Sequence, residues 1–137
     1  MEAVIYPDLE KVLVEKLTEL LGAREEPVAQ DVKVSTIKPS PDVTPYPGKT
    51  VVIRSDGGAE LDHVRRLDRV GINIWAPTYA EASDLARLVT ALLADTTGEA
   101  IKNVRITLHP IRVAEAGPEE HRYLTAEFVV KATNLTP

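Results

Sequence analysis

Residue types that could carry acid–base or nucleophilic chemistry are present in this chain, but their spacing matches no catalytic pattern. None of the four serines lies in a Gly-x-Ser-x-Gly sequence, the strained turn that exposes a serine nucleophile. The histidines, His63, His109 and His121, lack the His-Glu-x-x-His spacing of a zinc enzyme, and the absence of cysteine excludes thiolate ligands. The sequence therefore predicts a protein that is not an enzyme and that holds neither a metal nor a cofactor.

One segment has the composition of a phosphate-binding turn, namely Ser55-Asp56-Gly57-Gly58. It lacks the Lys-Ser or Lys-Thr pair of a P-loop, and no helix start follows it. We therefore interpret it as a tight turn that ends a strand and in which a glycine adopts a positive φ angle.

A small basic patch is formed by Arg65, Arg66 and Arg69, with Asp62 and Asp68 beside it. Sequence-independent DNA binding usually needs a wider positive surface with interleaved aromatic side chains, and this patch has neither. Two interpretations remain open: ion pairs at a boundary between subunits, or charged residues on an ordinary surface. The second is favoured.

Two helices and five strands must position these residues. A stripe of leucine and valine at helical spacing predicts the first helix, with Asp8 as its N-cap and Gly22 as a left-handed residue just after its end. Thr78 and Glu81 form a capping box, which predicts a second helix over Tyr79–Ala94.

Strands are predicted where apolar and polar residues alternate or where β-branched residues cluster. These strands are Asp31–Ile37, Val51–Ile53, Leu67–Ala76, Asn103–Val113 and Arg122–Ala132, of which the last two form a C-terminal β-hairpin. Prolines predict an extended Pro-rich loop over residues 39–48. The order α-β-β-β-α-β-β predicts an α+β fold, a mostly antiparallel β-sheet with the N-terminal and central helices packed on it, in a single domain over residues 1–137.

Trp75 falls on the face of its strand opposite Val70, Ile72 and Ile74. If those three residues face the core, Trp75 lies either on an exposed face or beneath the first helix. An exposed tryptophan is typical of an interface, so the two alternatives have different functional meanings, and both stay open.

Composition limits the kinds of partner. The net charge is −5, which argues against a dedicated nucleic-acid binder, and no apolar run is long enough to cross a membrane. Residues 1–48 carry 5 basic and 9 acidic residues, whereas residues 49–137 carry 11 and 12. An acidic N-terminal part therefore precedes a nearly neutral body.

The joint order of these features resembles the tail terminator proteins of long-tailed bacteriophages. The resemblance covers roughly residues 5–133 and lies in an N-terminal helix, a proline-containing loop, a V-x-I-R strand with Gly-Gly, a strand ending in Trp-Ala, a Thr-capped helix and a hairpin. The matching residues are Val51 to Arg54, Gly57-Gly58, Asp68 to Ala76, Thr78 to Leu88, Gly117-Pro118 and Arg122-Tyr123.

This resemblance implies a structural virion protein without an active site, located in the tail or neck of the virion and assembled in the host cytoplasm. Such proteins form a homo-oligomer, a hexameric ring that caps the tail tube protein, stops its polymerisation and offers a docking surface to the head–tail connector protein. Genomic DNA passes through the ring lumen without specific binding, and no membrane is involved. The candidate subunit or partner interface consists of Arg54, Gly57, Gly58, Arg66, Arg69 and Trp75.

Two other functions remain as alternatives. One is another head–tail connector or tail completion protein of the phage neck, which would share the size and the fold. The other is a cytoplasmic α+β domain that binds a small molecule in a deep apolar pocket. The assembly state discriminates between the ring proteins and the small-molecule binder.

Overall fold

The computed structural model describes residues 2–135, so residues 1, 136 and 137 of the predicted single domain lie outside the described residues. The elements in chain order are β1 (Val4–Ile5), α1 (Leu9–Gly22), β2 (Val32–Ser35), β3 (Lys49–Glu60), β4 (Arg65–Ala76), α2 (Tyr79–Leu92), β5 (Ile101–Val113), β6 (Glu120–Lys131) and β7 (Thr133–Asn134). The predicted α+β fold is confirmed, and its order α-β-β-β-α-β-β holds once the two-residue strands β1 and β7 are set aside.

The main sheet has five strands in the spatial order β2-β3-β4-β6-β5. Strands β3, β4, β6 and β5 pair antiparallel with their neighbours, whereas β2 pairs parallel with β3. The predicted C-terminal hairpin is the β5–β6 pair. Strands β1 and β7 form a separate antiparallel pair, which brings the two ends of the described chain together.

Both helices begin at the residues that the sequence indicated. The side chain of Asp8 accepts a hydrogen bond from the backbone N–H of Lys11 at 3.2 Å, and the hydroxyl of Thr78 accepts one from Glu81 N–H at 3.2 Å. Each cap satisfies a helix N–H that has no partner within the helix.

Both helices cover the same face of the main sheet, where apolar side chains of α1, α2, β3, β4 and β6 form one core. Its members with no exposed surface include Leu13, Leu17, Ile53, Ile72, Ile74, Leu85, Leu124 and Phe128. Arg122 closes this layer near the start of α2, because its guanidinium donates to the backbone carbonyl of Tyr79 and to the hydroxyl of Ser83. The other face of the sheet carries no helix among residues 2–135.

Two expectations about glycine were wrong. Gly22 is the last residue of α1 rather than a left-handed residue beyond it, because the N–H of Ala23 bonds to the carbonyl of Glu19 and closes the turn in right-handed geometry. Strand β3 does not end at Gly57 and Gly58 but continues through them to Glu60.

A β-bulge explains how β3 continues. Ser55 pairs with Val70 and Gly58 pairs with Asp68, so Asp56 and Gly57 lie opposite the single residue Arg69 and β3 contains one extra residue. Gly57 has the positive φ angle that was expected, at 79°. At Gly58, a Cβ atom would lie 1.7 Å from the backbone carbonyl oxygen of Leu67, so no side chain fits there.

Residues 39–48 contain neither helix nor strand and return the chain to β3. Asp31, with a φ angle of 54°, fixes the end of this loop, since its carboxylate accepts a hydrogen bond from Gly48 N–H at 3.0 Å and its carbonyl accepts one from Lys49 N–H. No helix within residues 2–135 combines the length and apolar character needed to cross a lipid bilayer.

Candidate assembly surface

The face of the main sheet without helices is here called the open face. Strand register places the side chains of Thr50, Trp75 and His121 in one row across it, and those of Val52, Asn73 and Tyr123 in the next. Residues directly opposite one another in antiparallel strands share a face, so every second residue of these strands belongs to the open face.

Six basic residues lie on the open face, and all six are exposed. They are Lys33, Arg54, Arg65, Arg69, Arg105 and Lys131. The acidic residues beside them are Asp56, 3.4 Å from Arg54 Nε, Asp62, 2.7 Å from the Arg65 guanidinium, and Glu127, 3.7 Å from Arg69 Nε. The open face is therefore basic although the whole chain is acidic.

Trp75 lies at one end of the open face, and neither of the two environments predicted for it describes its surroundings fully. It is neither beneath α1 nor freely exposed, because residues of two loops and of β6 enclose it. Its ring stacks on His121 with 4.3 Å between centroids, and Lys38 Nζ lies 4.5 Å above it. Its indole Nε1–H donates to Glu115 Oε2 at 3.2 Å. We refer to Trp75, His121, Lys38 and Glu115 as the Trp75 cluster.

His121 is the titratable centre of the Trp75 cluster. Its Nε2 lies 2.7 Å from Asn73 Oδ1 and its Nδ1 lies 3.0 Å from Glu115 Oε2. Burial of the ring lowers the pKa of His121, and the carboxylate of Glu115 opposes that shift. The cluster joins the loop after β5 and the loop after β2 to the sheet.

Arg66 points to the opposite face from Arg65 and Arg69, so the three arginines do not form the single patch that the sequence indicated. The guanidinium of Arg66 donates two hydrogen bonds, at 2.6 and 2.7 Å, to the buried carboxylate of Asp68. It also lies 4.6 Å above the ring of Tyr6. Arg66 thus satisfies a buried charge at the margin of the core, which is a structural role.

Gly57 and Gly58 lie at the bulge, beside Arg54 on the same strand. The bulge leaves the Ser55 N–H free to donate to the Glu10 carboxylate at 2.8 Å, which connects α1 to β3. The close approach at Gly58 accounts for this glycine by backbone packing alone.

No arrangement for catalysis is apparent within residues 2–135. No group of three or more His, Asp or Glu residues there is placed to hold a metal ion. An apolar groove of about 570 Å³ lies between the Pro-rich loop and the loop after β5. Its lining is Lys38, Pro39, Pro41, Tyr46, Pro47, Gly48, Pro77, Pro118 and Glu119. This lining, which is mostly proline, can contact another molecule but contains few side chains that could take part in catalysis.

Comparison with solved structures finds proteins of similar fold. No protein-family model matches the chain, and no curated protein matches it. A solved chain from the virion of a native gene transfer agent particle has a similar structure, with a TM-score of 0.61 and 13% sequence identity. The match covers 90% of this chain and 98% of that chain. At this identity the likeness shows a shared fold.

Several residues of this surface were missed by the sequence reasoning. Arg105 was not singled out, although its position in the alternation of β5 places it opposite Glu127. His121 was named only among the histidines that lack zinc-ligand spacing, and Glu115 was not singled out. Only the alternation of β6 indicated that His121 shares a face with Trp75. Nothing in the sequence indicated that the Glu115 carboxylate contacts both side chains.

Proposed function

We propose that this protein is a structural component of a phage-like particle, and specifically a tail terminator that forms a hexameric ring on the end of a tail tube. The observation that carries the proposal is the likeness of fold to a virion chain over nearly the whole length of both chains. The order of sequence features that resembles tail terminators supports the finer assignment.

Strand β5 supplies one feature that suits ring assembly. It is a 13-residue edge strand that pairs with β6 on one side, and its other side has no partner strand within the described residues. Long unpaired edges favour pairing with another chain, and proteins usually shorten or cover them. Here Leu108 and Ile111 on this strand are also 37% and 46% exposed.

The ring requires a head-to-tail interface, in which one surface of a subunit binds a different surface of the next. Such an interface gives a closed ring when the rotation from each subunit to the next adds up to one full turn. Arg54, Arg69 and Trp75 on the open face are the proposed contacts, with the tail tube protein and the head–tail connector as further partners. The net charge of −5 suits a lumen through which DNA passes without binding.

The proposal is tested by measuring mass by light scattering after size exclusion, followed by negative-stain imaging of any large species. A ring close to six times 15.0 kDa is expected, either alone or after addition of purified tail tubes. A terminator should also stop tube growth, so tubes assembled with the protein should be shorter than tubes assembled without it. A protein that stays monomeric with tubes present and leaves their length unchanged would refute the proposal.

Another neck protein, such as a head–tail connector or tail completion protein, is the second candidate, because the shared fold fits it equally well. It would form a ring but would bind the portal side of the neck and leave tube length unchanged. The apolar groove beside the Pro-rich loop favours a third candidate, a small-molecule binder. That function predicts a monomer or dimer that is stabilised thermally by a compound from a ligand library.

A further inference from the structure

The two sides of the molecule have opposite charge. The open face carries six basic residues and the three acidic residues beside them, a net charge of +3. The helix layer, defined as residues 8–22 and 79–95, carries seven acidic and three basic residues, a net charge of −4. Because both helices pack on the face opposite the open face, the positive and negative charges lie on opposite sides of the protein.

The open face has the mixed composition of a protein interface. Exposed Leu108 and Ile111 and half-buried Tyr123 lie on this side, with the arginines among them. Arginine and aromatic residues are enriched in protein interfaces. Nucleic acid is a poorer fit, because Asp56, Asp62 and Glu127 interrupt the positive surface.

We propose that the open face of one copy docks on the helix layer of the next copy, with Arg54, Arg69 and Arg105 facing exposed acids of α1 that include Glu15 and Glu19. This inference rests on the proposed ring and names the two surfaces that join in it. Opposite charge on opposite sides favours head-to-tail contact and disfavours contact between two like surfaces. Because each open face binds a helix layer, all subunits point the same way around the ring.

A charge exchange tests this docking. Arg54→Glu/Arg69→Glu reverses the charge at two contact positions of the open face, and Glu15→Lys/Glu19→Lys reverses it at two contact positions of the helix layer. All four side chains are exposed, and Arg54 and Arg69 are 77% and 76% exposed, so circular dichroism should show folded proteins. Each double variant should need roughly tenfold more protein than the wild type for half-assembly, because like charges then face each other.

The chain carrying all four substitutions should regain assembly, since opposite charges again face each other at the substituted positions. An equimolar mixture of the two double variants should also assemble, as an alternating ring. The matched control is Arg24→Glu/Lys102→Glu, which changes the net charge by the same amount as the open-face variant but alters exposed residues outside both docking surfaces. It should assemble like the wild type.

The outcomes separate this inference from the proposed function. If the wild type forms rings and every variant does too, or if the four-fold variant fails to recover, the docking is refuted while the ring stands. If the open-face variant assembles normally but loses retention on a DNA column that holds the wild type, the open face binds nucleic acid instead. If the wild type forms no ring even with tubes, both proposals fall.

Discussion

The covered face and the open face of the same sheet differ in what their residues do. Along β6, Leu124, Ala126 and Phe128 are fully buried beneath the helices, whereas Tyr123, Thr125 and Glu127 alternate with them on the other side. One strand therefore contributes to folding with one set of residues and leaves the other set available. Substitutions on the two faces should separate loss of stability from loss of assembly.

The largest expected effect compares one aromatic residue on each face of β6. Phe128→Ala should lower the free energy of unfolding by about 3–5 kcal/mol, because it leaves a cavity in a fully buried site. Tyr123→Ala, on the open face, should cost clearly less, about 1–2 kcal/mol, since Tyr123 remains partly in contact with water. Urea denaturation measures both, and equal losses would show that the open face is as important for folding as the core.

Gly58→Ala should give the next largest effect, because its Cβ would meet the carbonyl oxygen of Leu67. We expect a loss of about 1–3 kcal/mol in the free energy of unfolding, as for other overpacked sites. Gly117→Ala is the matched control, because a Cβ there has open space and should change stability little. If the two substitutions lower the free energy of unfolding equally, the backbone at the bulge can move to accept a Cβ atom, contrary to this prediction.

The smallest expected effect concerns pH and the Trp75 cluster. The pKa of His121 is lowered in the folded protein, so the unfolded state binds more protons and stability rises with pH through this range. The contribution is fully present above the usual pKa of 6.5 and is lost as the pH falls through the lower pKa of the folded state.

The measurement for His121 is the urea midpoint at pH 7.5 and at pH 5. His121→Asn should reduce the difference between the two midpoints, whereas the same change at exposed His109 should not. A wild-type midpoint that does not depend on pH would contradict a lowered pKa of His121. An identical pH dependence in the His121 variant would place the pH sensitivity outside this cluster.

Much of the covered face could be predicted, because its patterns are local. The alternation of β4 and β6 and the capping residues Asp8 and Thr78 each depend on a few neighbouring residues. The course of β3 through Gly57 and Gly58 could not be predicted in this way, since a bulge exists only relative to the partner strand β4. The two-residue strands β1 and β7 are too short to carry any pattern.

The open face was less predictable, because its contacts join distant segments. Arg66 was grouped with Arg69 by proximity, and the predicted strand began only at Leu67, so the alternation that separates them was not applied. Arg66 is two residues from Asp68 and therefore shares its face, whereas Arg69 does not. Lys38 and Glu115 reach Trp75 from loops whose paths depend on the folded sheet.

The spatial strand order also has a consequence for the nascent chain. Strand β4 is central in the sheet, but its second neighbour β6 ends about 55 residues after β4 does. At a translation rate of about 5–20 residues per second, one edge of β4 waits roughly 3–11 seconds for its partner. During that interval neighbouring nascent chains on one messenger RNA can pair through β4, so slow synthesis should favour aggregation before the protein is complete.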